Sequence, residues 1–233
     1  LHSGMSSSDL DRARRALSRA GWLAGEAPGL ADALLQHGSL VRYATGQWAQ
    51  AEGDPDTGLF VVVEGAVQMY CQAPGDREVL VGHAEAGAAI GQTMRFGGGP
   101  RLVTAICVAP SLLLLVPDAA LERIGRSRPD IWRAVASLVY AQLRTAIRLA
   151  AELAALPPRQ RLASRLRMLA RTGGGRGPVT LHLSQHALAE MIGVTRKTVN
   201  LQLSAFARAG LVEIGYGRLT IRDVAGLDRV AEG

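Results

Sequence analysis

Arg196, Lys197 and Asn200 are the side chains of this 233-residue sequence whose types and spacing are best suited to recognition chemistry. Arginine and lysine donate to guanine O6 and N7, and an asparagine amide matches adenine N6 and N7. Hydroxyls and amides bond to phosphate oxygens. Arg196 and Asn200 stand one helical turn apart, so in a helix they share a face. The chemistry they predict is the reading of double-stranded DNA, with Arg196, Lys197 and Asn200 at base edges or, for Asn200, at a phosphate. Ser184, Gln185, Thr195 and Thr198 are the phosphate contacts expected around them. A lysine accepts no hydrogen bond, so position 197 favours guanine over cytosine.

These residues need a scaffold, and the local sequence predicts one. Ser184 caps a helix over Gln185–Ile192 whose apolar positions Leu188, Met191 and Ile192 fall at helical spacing. Gly193 ends it, and Thr195 caps a second helix carrying Val199, Leu203 and Phe206 inward. Two short helices with a tight glycine turn make a helix-turn-helix. Leu211–Ile214 and Arg218–Ile221 flank Gly215-Tyr216-Gly217 as a β-hairpin, which adds a wing. The alternative is a surface hairpin with a solvated basic end, and the distribution of charge argues against it. Residues 1–155 hold 14 Arg against 15 acids, a net −1, whereas residues 156–222 hold 10 Arg and 1 Lys against Glu190 and Glu213, a net +9. A phosphate-binding surface needs that asymmetry.

The rest of the chain reads as a sensor and a connector. Residues 9–38 are expected to form one or two packing helices, with Leu10, Ala13, Leu17 and Ala20 as one stripe. From Leu40 to Val116 short apolar runs alternate with turn residues about every ten positions, the pattern of a β-barrel, roll or sandwich. Such a structure commonly leaves an interior or mouth for a small ligand. A long helix is expected over Ile131–Leu156. Ile131, Val135, Leu138, Gln142, Thr145, Leu149, Glu152 and Leu156 follow the 4-3 spacing of a coiled-coil seam, which predicts a homodimer. Pro157-Pro158 ends that helix and makes a hinge, and an amphipathic helix and a flexible loop over Thr172–Pro178 precede the helix-turn-helix. The expected class is α+β: an N-terminal jelly-roll-like β-roll (9–128), a dimerisation helix (129–156) and a C-terminal winged helix-turn-helix (157–233).

Several functions are excluded by what the chain lacks. No apolar run approaches the roughly 20 residues that span a bilayer, and no signal peptide is legible, so a cytoplasmic protein with no membrane partner is expected. Cys71 and Cys107 are too few and too far apart for a metal or iron–sulfur motif. No nucleophile–base order, carboxylate pair or phosphate-binding glycine loop suggests an enzyme.

The order of roll, long helix, proline hinge and winged helix resembles the cAMP-receptor-protein and fumarate–nitrate-regulator (Crp-Fnr) superfamily of bacterial transcription factors. The resemblance covers Leu40 to Asp223. It rests above all on Leu188-Ala-Glu-Met-Ile-Gly-Val-Thr-Arg-Lys-Thr-Val199, Gly210-Leu-Val212, Leu59-Phe-Val-Val-Val-Glu-Gly-Ala-Val67 and Arg159-Gln-Arg-Leu-Ala163. It implies a dimer whose two recognition helices enter successive major grooves of a palindromic site, with RNA polymerase as a further partner. It also implies an effector pocket, here Gly91, Gln92, Arg101, Leu102, Gln142 and Ala146. In the cAMP-binding members this segment carries Gly-Glu and then Arg-Ser. Here Gly91-Gln92 and Arg101-Leu102 replace them, and Ala146-Ile147 stand where hydroxyl residues meet the adenine. Each lost polar contact weakens binding by about 1 kcal/mol or more, so cAMP is not expected as a ligand in the usual mode. No specific cofactor is expected. An unknown small molecule held by Arg101 is one reading, and a roll that only holds the dimer together is another. Haem would need axial ligands, for which His83 and His37 are candidates, although a lone histidine is more often a surface or core residue. On the DNA side, Lys197 and Leu201 replace the family's Glu and Arg, which predicts a half-site other than TGTGA. The alternatives are a cyclic-nucleotide-responsive regulator, or a ligand-binding interaction module that does not read DNA.

Overall fold

The computed structural model describes residues 6–25, 29–75, 77–92, 96, 99–172, 178–181, 183–215 and 217–233. The expected loop over Thr172–Pro178 lies largely outside them, as do Tyr216 and the side chain of Gln92. The chain divides into two compact units, Leu1–Leu143 and Arg144–Gly233.

The first unit opens with α1 (Ser7–Arg19), a 3-10 turn over Gly21–Leu23 and α2 (Leu30–His37). Eight strands follow: β1 (Ser39–Tyr43), β2 (Trp48–Gln50), β3 (Gly58–Glu64), β4 (Ala66–Ala73), β5 (Arg77–Glu85), β6 (Ala89–Gln92), β7 (Thr104–Cys107) and β8 (Ser111–Pro117). They form two antiparallel four-stranded sheets, ordered β1-β8-β3-β6 and β2-β7-β4-β5. Alternation along the strands divides the side chains between two cores. Phe60, Val62, Val67, Ala84, Ile90, Ala105, Cys107 and Leu113 fill one, so the interior of the roll is occupied by its own apolar side chains. Leu59, Val61, Val63, Leu112, Leu114 and Val116 point the other way, against α1, α2, α3 (Asp118–Ser127) and the start of α4 (Asp130–Ala155). In α1 the buried stripe is Asp9, Ala13, Ala16 and Leu17, with Leu10 only partly covered. Asp9 is buried because Arg42 Nη2 donates to both its carboxylate oxygens at 2.8 Å, and a buried charge needs such a partner.

The long helix has the predicted length, but the start of the predicted seam does not lie on its exposed side. Ile131, Val135 and Leu138, the first three predicted seam positions, are buried in the first unit's own core. The large exposed apolar residues of α4 are instead Val139, Tyr140, Leu143, Ile147 and Leu153. Helical periodicity shows that a face exists, and it is silent on what covers that face. No helix among the described residues is long and apolar enough to cross a membrane.

In the second unit, α5 (Pro158–Thr172) leads through β9 (Val179–Leu181) to α6 (Gln185–Ile192) and α7 (Arg196–Arg208). The hairpin β10 (Val212–Gly215) and β11 (Arg218–Ile221) extends β9 into a three-stranded sheet ordered β10-β11-β9. A last helix, α8 (Val224–Glu232), is capped by the Asp223 carboxylate accepting from Gly226 N–H at 2.8 Å. It is tied to α5 by Arg167–Asp228 at 3.1 Å.

Candidate nucleic-acid interface and effector cradle

The α6–turn–α7 pair is set by three local devices. Ser184 Oγ accepts from Ala187 N–H at 3.0 Å and satisfies one of the four free N–H groups that open α6. Gly193, at φ 65°, closes α6 in the left-handed region that a side-chain-bearing residue enters only at a cost, and Val194 N–H returns to Ala189 O at 3.0 Å. Thr195 Oγ1 then accepts from Thr198 N–H at 3.2 Å and opens α7. Val199, Leu203 and Phe206 are buried, which fixes which side of α7 looks outward.

Arg196 and Lys197 are exposed on the first turn of α7, and neither forms an ion pair among the described residues. Ser184 and Thr195 are exposed, and Gln185 and Thr198 are half-buried. The Thr195 and Thr198 hydroxyls share one hydrogen at 2.9 Å, so whichever accepts keeps its own O–H for an outside acceptor. Asn200 differs from its neighbours. It is half-buried, and its Oδ1 is enclosed without a hydrogen-bond partner among the described residues. Bidentate pairing with adenine needs both amide atoms, so in this rotamer Asn200 offers at most its nitrogen.

The sequence did not disclose what holds this pair of helices to α5. Arg161 Nη1 donates to Ile192 O at 2.9 Å and Arg165 Nη2 to Met191 O at 3.0 Å, two cations on the carbonyl end of α6. Cations there also complement the helix dipole. Ser164 donates to Glu152 at 2.6 Å, joining the end of α4 to the same cluster. Burial pushes the Arg165 guanidinium down to about 10, with Glu152 opposing. Its Nε and Nη1 are buried without hydrogen-bond partners among the described residues. The i, i+4 spacing of Arg161 and Arg165 was the available signal, but arginines there read equally well as surface charge. They also change the meaning of the +9 count. Arg161 and Arg165 are spent on carbonyls and Arg167 on Asp228, which lies outside the counted segment, leaving fewer free cations than the sum implies.

In the roll, Gly91 and Arg101 are brought together. Gly91 has φ 112°, and a Cβ there would overlap Gly58 O and lie 3.0 Å from Arg101 Nη1. Arg101 is 5% exposed, with Nε donating to Asp56 O at 2.8 Å, Nη1 to Gly58 O at 2.7 Å and the guanidinium 5.5 Å from the Phe60 ring. Its backbone joins the same loop, through Arg101 N–H to Asp54 O and Gly53 N–H to Arg101 O, both 2.8 Å. Desolvation lowers the Arg101 pKa, and Asp118, Asp54 and Asp56 oppose that shift. Two of its donors are therefore committed to fastening the 53–58 loop. Leu102 is 70% exposed, and Gln142 and Ala146 are exposed on α4. Gln92 pairs its backbone with Gly58, and its side chain lies outside the described residues. His83 Nε2 lies 3.1 Å from Glu85 Oε1, while His37 sits in the last turn of α2. A separate cleft of about 270 Å³, lined by Arg12, Arg42, Tyr43, Glu64 and Ser111, has its two arginines neutralised by Glu64 and Asp9.

Comparison with known proteins agrees with both halves. Residues 40–128 match the cyclic nucleotide-binding domain and residues 160–230 the Crp-like helix-turn-helix domain. The chain is 30% identical over 219 residues to the CRP-like cAMP-activated global transcriptional regulator of Mycobacterium tuberculosis, covering 92% of this chain and 98% of that protein. It is 28% identical over 209 residues to the cyclic AMP receptor protein of Thermus thermophilus, covering 90% and 95%. The structure of FixK2 from Bradyrhizobium japonicum shares the fold, with a TM-score of 0.74 at 21% identity over 83% of this chain and 96% of that one.

Proposed function

The chain belongs to the CRP-like family of transcriptional regulators, and on that premise we propose that it acts as a homodimer on a roughly palindromic DNA site, each copy setting α7 in a major groove. The observation that carries this reading is the pair Arg196 and Lys197, exposed and unspent at the start of a capped helix. Arg196 and Lys197 read guanine. Ser184, Gln185, Thr195 and Thr198 hold phosphates, and Asn200, with its oxygen turned inward, donates to a phosphate rather than pairing with adenine. The second copy covers Val139, Tyr140, Leu143 and Ile147 of α4, which a monomer leaves in water. DNA, this second copy and RNA polymerase are the partners, the site of action is the cytoplasm, and there is no enzymatic activity.

The roll does not bind cAMP in the usual mode. Arg101 is committed to Asp56 O and Gly58 O, Leu102 carries no hydroxyl and Gln92 no charge. A small anion reaching Arg101, or a roll with no ligand at all, fits these residues better. The relatives from Mycobacterium and Thermus, cAMP-activated and cAMP-receptor by name, favour the second reading, a cyclic-nucleotide-responsive regulator. One experiment separates these readings. Fluorescence anisotropy on its own promoter DNA is run over a salt series, with and without cAMP, beside a thermal-shift screen of cyclic nucleotides and small anions. Specific binding with a salt slope of about −0.9 for each phosphate neutralised by an arginine or lysine of the basic C-terminal segment, and indifference to cAMP, are expected. A thermal shift and an affinity gain with cAMP would overturn the sensor reading. A flat salt dependence would overturn the DNA reading.

A further inference from the structure

We propose that Leu201 is a specificity-determining residue of this chain, selecting thymine at one step of the half-site through the base's 5-methyl group. The inference rests on the DNA-reading role of α7 and deepens it.

Val199, Leu203 and Phe206 define the inward side of α7. At about 100° per residue, the line directly opposite them runs through Lys197, Leu201, Ser204 and Arg208. All four are exposed, Leu201 by 65%. Arg196 and Asn200 lie to one flank of that line, and Asn200 turns its oxygen into the protein. The residues at the centre of the outward line are thus a cation, a leucine, a hydroxyl and a second cation. Three of them bind a polyanion. The leucine has no role in the core, and a groove-facing leucine meets base edges, where the apolar feature of the major groove is the thymine methyl. Lys197 lies one turn earlier, about 6 Å along the helix axis, so its guanine and the thymine of Leu201 fall about two base pairs apart.

The test uses the full-length protein and its operator selected from random duplex DNA. Each thymine of one half-site is replaced in turn by deoxyuridine, which removes the methyl and leaves every Watson–Crick hydrogen bond, and binding is followed by anisotropy. At one position wild type should lose about fourfold in affinity, the change expected from exposing one buried methyl, and about fifteenfold when both half-sites are altered. Leu201→Ala, at an exposed position, should melt with wild type, bind the thymine operator more weakly and ignore the substitution. If wild type tolerates deoxyuridine within twofold at every position, or Leu201→Ala remains as sensitive as wild type, the proposal is overturned. If wild type selects no operator, the reading of α7 as a DNA reader falls first, and Leu201 with it.

Discussion

Arg101 and Arg196 are the same residue put to opposite uses in the two units of this chain. In the roll, Arg101 is buried and its Nε and Nη1 are spent on the carbonyls of Asp56 and Gly58. On α7, Arg196 is exposed and makes no ion pair among the described residues. A guanidinium that satisfies its own chain stabilises a fold, whereas one left unspent on a capped helix is available to a partner. The contrast makes the two arginines separable by experiment: roll substitutions should change melting, and α7 substitutions should change DNA affinity.

The largest effect is expected at Gly91. Alanine there meets both φ 112° and the Gly58 carbonyl, and Gly91→Ala should destabilise the roll by more than about 3 kcal/mol. Chemical denaturation checks this, and a loss under 1 kcal/mol would mean that the 53–58 loop yields freely. Arg101→Met should follow, at about 2–3 kcal/mol, because two buried carbonyls lose charged donors. If its melting were unchanged while a ligand-dependent response vanished, Arg101 would be a ligand residue, and the contrast with Arg196 would collapse. Arg196→Ala should do the reverse, costing about 1–3 kcal/mol of operator affinity, or roughly 5- to 150-fold, with melting preserved. Ser184→Ala spans both categories. It should cost about 1 kcal/mol of stability through the lost cap and also weaken DNA binding evenly across sequences, with the salt slope unchanged because a neutral hydroxyl releases no counterion.

The legible parts of this protein were those written in local chemistry. Ser184, Gly193 and Thr195 mark α6 and α7 to the residue, because caps and left-handed glycines act within a turn of where they stand. Six strands of the roll were legible from their punctuation for the same reason, though β7 is shorter than the apolar run Leu102–Val108 suggested, while β2 and β6, three and four residues long, are too short to show a run of their own. What required the fold was the choice of partner. Ile131, Val135 and Leu138 have the spacing of a dimer seam and serve their own core. Arg161 and Arg165 count as basic charge and hold the end of α6. Asn200 has the right residue type and turns its oxygen inward. In each case composition stated what the side chain could do, and only packing decided which neighbour it met. The helix α8 could have been anticipated, since Asp223 is a capping residue with Leu227 and Val230 at helical spacing after it.

Selection of bound sequences from random duplex DNA by the full-length protein shows whether α7 reads bases and which ones. An inverted repeat is expected, with half-site centres about one helical turn apart, roughly 34–36 Å, containing guanines under Arg196 and Lys197 and differing from TGTGA. Enrichment of TGTGA would contradict the role given to Lys197, and enrichment of no motif would contradict the assignment of α7 as a base reader.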